Sequence, residues 1–89
     1  MTSAIRKLVD NFTEADIDDE IIIMRLDTGE LLGLDGTSAE IWRLIDGARD
    51  REELIGALAS NYEMGRRQLA HDVGEFLGQL KDAGLIAVE

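Results

Sequence analysis

The 89-residue sequence predicts an α+β fold in which a three-stranded antiparallel sheet precedes three helices. Three consecutive isoleucines in Glu20–Leu26 are typical of a strand, and the segment is too short for a helix. Asp27–Gly29 then predicts a three-residue hairpin turn, and the apolar run Glu30–Leu34 predicts the returning strand. Because helix signals follow only after this hairpin, we expect the helices to pack on one face of the sheet.

The chain before the hairpin predicts an arm and one weaker strand. Residues 1–11 form the arm, which we expect to be flexible, while Phe12, Thr13 and Ile17 have moderate β propensity. Gly33 interrupts the last strand and indicates a bulge or a close backbone approach. The length favours a single domain over residues 1–89 with a thin core.

The first predicted helix follows the hairpin directly. Thr37–Glu40 has the S/T-x-x-E form of a capping box, so we expect Thr37 to cap this helix. Gly47 is expected just beyond its end. The predicted buried stripe consists of Ile41, Leu44 and Ile45, with Trp42 at its edge. A tryptophan in this position is more often a core anchor than a surface for a ligand.

Two further helices complete the predicted fold. Asp50 and Glu53 repeat the capping-box arrangement at the start of the second helix. The third helix is expected from Arg66 to Ala83, with Gly84 after its end. The residues of the two buried stripes are Leu54, Ile55, Leu58 and Tyr62 in the second helix, and Leu69, Val73, Phe76, Leu77 and Leu80 in the third.

Charge and composition narrow the classes of function. Nineteen acidic and nine basic residues give a net charge of −10, which repels nucleic acids and anionic lipid and attracts a cationic partner. The absence of cysteine excludes disulfides and is compatible with a reducing compartment. The N-terminal residues do not form a secretory signal, and no apolar run approaches the ~20 residues of a membrane span. We therefore expect a cytoplasmic protein that binds neither nucleic acid nor membrane.

The sequence contains no catalytic or metal-binding pattern. His71, the single histidine, falls opposite the apolar stripe of the third helix, where a solvated side chain is expected. The acidic run Asp18–Glu20 lacks the spacing and the central glycine of a calcium loop. No nucleophile elbow and no phosphate-binding glycine loop is present. We expect a protein that is not an enzyme and that uses no cofactor or metal.

A binding surface is the remaining possibility. The strand Glu30–Leu34 is expected to pair with the preceding strand on one side, and if nothing pairs on its other side, that edge is open to an extended peptide as an added strand. The third helix is the best candidate to flank this edge, with Val73 and Phe76 lining an apolar groove and Asp72 on its rim. Val73 and Leu80 also fit a plain core role, and Phe76 fits either role.

The same segments resemble a known family. The pattern resembles the peptide chaperone of pyrroloquinoline quinone biosynthesis, or PqqD, and the wider group of recognition elements for ribosomally made, modified peptides. That group includes the discrete leader-binding proteins of lasso peptide pathways. The residues that carry the resemblance are Leu34-Asp35, Thr37, Ile41-Trp42, Asp46-Gly47, Asp72-Val73, Phe76-Leu77, Leu80 and Gly84-Leu85. Asp35 stands where the family usually has asparagine, and Gly65 where it usually has a capping Asp or Ser.

The resemblance implies a winged-helix-like fold and a function. The leader of a precursor peptide would dock along the third strand beside the third helix. The protein would then present that peptide to a separate maturation enzyme, such as a radical SAM enzyme, a leader peptidase or a cyclase. The peptide-binding residues that it implies are Glu30, Leu31, Leu32, Gly33, Leu34, Asp72, Val73, Phe76, Gln79 and Leu80. The alternatives are a winged-helix nucleic-acid-binding protein and a dimerisation domain, and paired strand edges would give a homodimer.

Overall fold

The computed structural model describes residues 4–61 and 65–88. A three-stranded antiparallel sheet has the order β2-β3-β4, and a separate two-stranded sheet pairs β1 with β5. The predicted α+β fold, with this sheet followed by three helices, is confirmed. The strands are β1 (Ile5–Lys7), β2 (Phe12–Ile17), β3 (Glu20–Arg25), β4 (Leu31–Leu34) and β5 (Ile86–Val88), and the helices are α1 (Gly36–Leu44), α2 (Arg51–Ala59) and α3 (Arg66–Asp82).

The helices cover one face of the β2-β3-β4 sheet. Buried residues of β3 and β4, among them Ile21, Ile23 and Leu34, join the buried stripes of all three helices in one core. Leu54, Ile55 and Leu58 are buried in α2, and Leu69, Val73, Leu77 and Leu80 are buried in α3. Phe76 is only partly buried at the border of this core. Tyr62, which the sequence places in the α2 stripe, lies outside the described residues.

The N-terminal segment is part of the fold, so the prediction of a flexible arm is wrong for residues 4–11. β1 pairs with β5 antiparallel, with Ile5 opposite Val88, and the Ile5 side chain is 1 % exposed. The sequence did not reveal this pairing because both segments are only three residues long and come from opposite ends of the chain. The expectation for residues 1–3 lies outside the described residues.

Trp42 joins the two sheets to α1. Its side chain is fully buried, its ring packs edge-on against Phe12 at 5.3 Å, and its Nε1 donates to Glu14 Oε2 at 2.9 Å. The Lys7 ammonium lies 4.4 Å from the centre of the Trp42 ring. Burial lowers the pKa of Lys7, and the nearby Glu14 carboxylate opposes this shift. Trp42 is therefore a core anchor whose polar atom is satisfied.

The start and end of α1 differ from the prediction. Asp35 is the N-cap in extended conformation and Gly36 has a φ of +54°, so Thr37 already lies inside the first turn. Ser38 Oγ instead donates to the Asp35 carbonyl at 2.8 Å. The helix ends at Leu44, before Gly47, whose amide donates to the carbonyl of Ile5. The capping box of Asp50 and Glu53 at α2 is confirmed.

The hairpin between β3 and β4 is one residue longer than predicted. The amide of Gly29 donates to the Arg25 carbonyl, and the Arg25 amide donates to the Glu30 carbonyl, which encloses residues 26–29. Gly29 adopts a φ of +74°, the left-handed conformation that the sequence predicts for it. The Arg25 guanidinium contacts both Asp27 and Glu30 across the turn. Its hydrogen bond and charge lower the pKa of Asp27.

Candidate functional site

The outer edge of β4 is unpaired in the part of the chain that the structure describes. β4 pairs with β3 alone, with Ile23 opposite Leu32 and Ile21 opposite Leu34. The Arg25 amide donates a hydrogen bond to the Glu30 carbonyl, so Glu30 directs its backbone groups to β3. In an antiparallel pair, successive residues of a strand direct their backbone groups alternately toward and away from the partner strand. Leu32 and Leu34 therefore direct their backbone groups to β3. The outward edge presents the N–H and C=O of Leu31 and of Gly33, four groups in all.

An apolar groove runs beside this edge. It has a volume of about 240 Å³, and its walls are Leu32, Gly33, Leu34, Ser38, Phe76, Gln79, Leu80 and Ala83. The C-terminal end of α3 also borders the β3–β4 turn, because Ala83 and Arg25 line one neighbouring cavity. α3 therefore runs antiparallel to β4, with Ala83 near the turn. The groove offers apolar contact to side chains of any strand that adds to β4.

The structure brings together six of the ten predicted site residues in the groove wall. Leu32, Gly33 and Leu34 form the strand side, and Phe76, Gln79 and Leu80 form the helix side. Leu31 is on the same strand but points to the opposite face of the sheet, where its side chain is 65 % exposed. Glu30 precedes β4 and is engaged in the turn by Arg25.

Two predicted helix residues are placed differently. Val73 is fully buried in the core and has no surface in the groove, so its prediction as a groove-lining residue is wrong. It faces inward because it lies one helical turn from both Leu69 and Leu77 on the buried stripe. Asp72 is partly exposed one turn before Phe76, and Gln68 Nε2 donates to its carboxylate at 3.1 Å. Asp72 therefore lies beyond the groove, on the same side of α3 as Phe76.

Sequence reasoning missed two groove residues. Ser38 reaches the groove because α1 begins immediately after β4, and Ala83 reaches it because it is the C-cap of α3. Ala83 could have been found from its position one turn after Gln79 and Leu80. Ser38 could not, because the sequence places it in a capping box rather than beside a strand edge.

Polar side chains outside the groove have local partners within the fold. His71 is exposed on α3, with Nε2 at 3.5 Å from Glu75 Oε2. Among the described residues, no group of three or more histidine or carboxylate side chains could hold a metal ion. Asp46 accepts from the amides of Ala48 and Arg49, and these bonds lower its pKa. No helix within residues 4–61 and 65–88 has the length and apolar character needed to cross a bilayer.

Comparison with known proteins identifies the family. The profile described as Coenzyme PQQ synthesis protein D (PqqD) matches residues 20–86, which include β3, β4 and all three helices. The chain belongs to the PqqD family. The resemblance carried by the sequence motifs is thereby confirmed, and the matched range contains every residue of the groove.

A relative of this PqqD family member is named for the molecule that it binds. A protein of Rhodopseudomonas palustris (strain TIE-1) named PqqA binding protein is 39 % identical over 56 residues, which are 63 % of this chain and 55 % of the relative. The chain thus spans about half the length of that curated relative.

Two solved structures share the fold of this chain. TbiB1, in a complex with the TbiA(beta) leader peptide, is 30 % identical, with a TM-score of 0.79 over 97 % of this chain and 94 % of its own. A lasso peptide synthetase B1, complexed with the leader peptide, has a TM-score of 0.81 at 22 % identity over 93 % of this chain and 96 % of its own. The second likeness, at this identity, shows a shared fold alone.

Proposed function

We propose that this PqqD family member is a non-catalytic adaptor that binds the leader segment of a ribosomally made precursor peptide. The observation that carries the proposal is the unpaired edge of β4 beside an apolar groove. A peptide strand added there gains backbone hydrogen bonds from Leu31 and Gly33 and places alternate side chains against Phe76 and Leu80. The related proteins named for PqqA binding and for leader-peptide complexes support the same function.

The energetics require both the strand edge and the groove. Four backbone hydrogen bonds contribute roughly 2–6 kcal/mol, at about 0.5–1.5 kcal/mol each. Micromolar affinity requires about 8 kcal/mol after the cost of association is met. Each apolar side chain that is fully buried adds roughly 1.5–3 kcal/mol, so side chains of the peptide must supply most of the remaining free energy and offset the cost of association. The groove, with a volume of about 240 Å³, is the space beside β4 in which such side chains would be buried.

Amide NMR tests the site directly. The probe is a synthetic peptide with the leader sequence of the precursor encoded nearest to this gene, and a scrambled peptide of the same composition is the control. We expect the leader to shift the amide signals of Leu31 and Gly33 and the ring signals of Phe76, and the scrambled peptide to leave them unchanged. Shifts confined to α2 or to the β1-β5 sheet would refute strand addition at β4.

The adaptor acts with a separate enzyme in this proposal. Among residues 4–61 and 65–88, no group of three or more histidine or carboxylate side chains could hold a metal ion, and in this proposal a leader peptidase, a cyclase or a radical SAM enzyme carries out the modification. Pull-down of such an enzyme by the leader-bound adaptor, and its loss when the leader is withheld, would support this division of roles. Conversion of the precursor by the adaptor alone would contradict it.

A homodimer through paired β4 edges stays a prediction that competes with peptide binding. Such a dimer would cover Leu31 and Gly33, so the leader peptide would dissociate it. Sedimentation analysis with and without the leader distinguishes the two states. Nucleic-acid binding is disfavoured by the net charge of −10, and we expect no retardation of random duplex DNA at low salt.

A further inference from the structure

The face of the sheet that points away from the helices is apolar in its middle and acidic at one end. The strand register places Ala15, Ile22 and Gly33 in one row across this face, and Ile17 beside Glu20 in the next row. Ile17 is 58 % exposed. A strand that adds to β4 sends every second side chain to this face rather than into the groove, so the face continues the proposed binding site.

Gly33 leaves a gap at the edge of this face, and Glu20 fills part of it. An ideal Cβ at Gly33 would lie 3.3 Å from Glu20 Oε1 and 3.7 Å from Ile22 Cδ1. Glu20 belongs to β3, so its side chain extends across β4 toward the unpaired edge. Within residues 4–61 and 65–88, the carboxylate of Glu20 has no ion pair and no side-chain hydrogen bond.

A shallow cavity surrounds this carboxylate. Its volume is about 460 Å³, with Ile17 and Ile22 as its apolar floor and with Glu20, Asp35 and the turn residues Asp18 and Asp19 around it. An apolar side chain entering from the edge would desolvate the carboxylate, and an acidic one would be repelled by it. A long basic side chain suits both the apolar floor and the carboxylate. Its methylene stem covers the floor, while its cation forms an ion pair with the carboxylate.

We infer that the bound peptide carries a lysine or an arginine at the position that pairs with Gly33, and that Glu20 selects it. The inference rests on the proposed function, since it needs a strand added to β4. Directly paired residues have Cβ atoms about 4.5–5.5 Å apart, so a basic side chain crossing the Gly33 gap comes within reach of Glu20. The negative charge of the whole chain favours the same cation.

The experiment selects binders from a phage-displayed library of random peptides. Wild type, Glu20→Gln and Glu75→Gln are used in parallel. Glu75→Gln is the matched control, because it removes the same charge from an exposed site on α3. Amide NMR identifies the peptides that shift Leu31 and Gly33, and intermolecular NOEs identify the peptide residue opposite Gly33.

We expect Lys or Arg at that position in peptides selected by wild type and by Glu75→Gln, and no such preference with Glu20→Gln. Replacing this basic residue by Met should weaken binding to wild type about two- to fivefold at low salt, leave binding to Glu20→Gln unchanged, and have a smaller effect at high salt. Peptides that shift β4 without a basic preference would overturn the inference and leave the proposed function intact. Selected peptides that leave the β4 amides unshifted would overturn both.

Discussion

Replacing Gly33 by proline should strongly weaken peptide binding while preserving the fold. The register directs the amide of Gly33 away from β3, so a proline at this position removes no hydrogen bond of the existing sheet. Proline is tolerated on edge strands when its missing N–H faces solvent. The pyrrolidine ring would instead occupy the space where the added strand must lie.

The expected loss of affinity follows from the backbone groups at the edge. Only Leu31 and Gly33 present outward groups, so the substitution removes one of two donors. The lost hydrogen bond contributes about 1 kcal/mol, and the unpaired carbonyl that remains on the peptide costs roughly 1–3 kcal/mol more. Together they amount to roughly 2–4 kcal/mol and predict a complex at least about thirtyfold weaker, before steric exclusion by the ring is counted.

Asp16→Pro is the matched control, because it places the same residue on the opposite edge of the sheet. The amide of Leu26 donates to the carbonyl of Asn11, so Asn11 directs its backbone groups to β3. Successive residues of a strand direct their backbone groups to opposite sides, so the amide of Asp16 points away from β3. Affinity is measured by fluorescence anisotropy with a labelled leader, and stability by urea denaturation. Binding of the leader to Gly33→Pro as tightly as to Asp16→Pro would refute strand addition at β4.

Three further predictions concern other residues. Phe76→Ala should weaken leader binding about tenfold and lower the free energy of unfolding by roughly 1–3 kcal/mol, because the ring lines the groove and borders the core; if thermal stability falls while affinity does not, Phe76 is only a core residue. Asp72→Lys should slow the association of a basic leader in stopped-flow measurements at low salt, and unchanged kinetics would remove Asp72 from the site. The pKa of Asp46 is lowered in the folded state by the amides of Ala48 and Arg49, so its contribution to stability is present above the unfolded pKa of about 3.9 and is lost as the pH falls through the folded value. Asp46→Asn should therefore lose less stability than wild type between neutral and acidic pH in urea denaturation, and equal losses would contradict this role.

The strands and helices that local patterns specify were predictable. The isoleucines of β3, the glycine of the hairpin and the Asp50 capping box each act within a few residues, and each appears in the structure. The β1-β5 sheet was not predictable in this way. Its hydrogen bonds join segments about 80 residues apart, and neither segment is long enough to show strand periodicity.

The geometry of the candidate site was predictable in outline but not in detail. An edge strand beside the last helix follows from the order of elements. Periodicity alone does not show which residues of the apolar stripe of a helix are fully buried and which remain partly exposed. Val73 and Phe76 lie three residues apart on α3, and the structure buries the first completely while leaving the second partly exposed. The position of Glu20 over Gly33 also depends on the strand register, which the length of the hairpin loop determines.

An unpaired edge strand exposes a protein to self-association, and the features of β4 limit that risk. Its outward edge offers four backbone groups from two residues, and the net charge of −10 opposes the approach of a second copy. The same short edge cannot hold a peptide tightly through backbone bonds alone, because those bonds are equally available to any sequence. In the proposed complex, discrimination among peptides must therefore come from side chains, and we expect Phe76 and Leu80 to contact one face of the added strand and Glu20 to contact the other. A leader that is apolar on its groove face and basic opposite Gly33 satisfies both faces, and a second copy of this acidic chain does not.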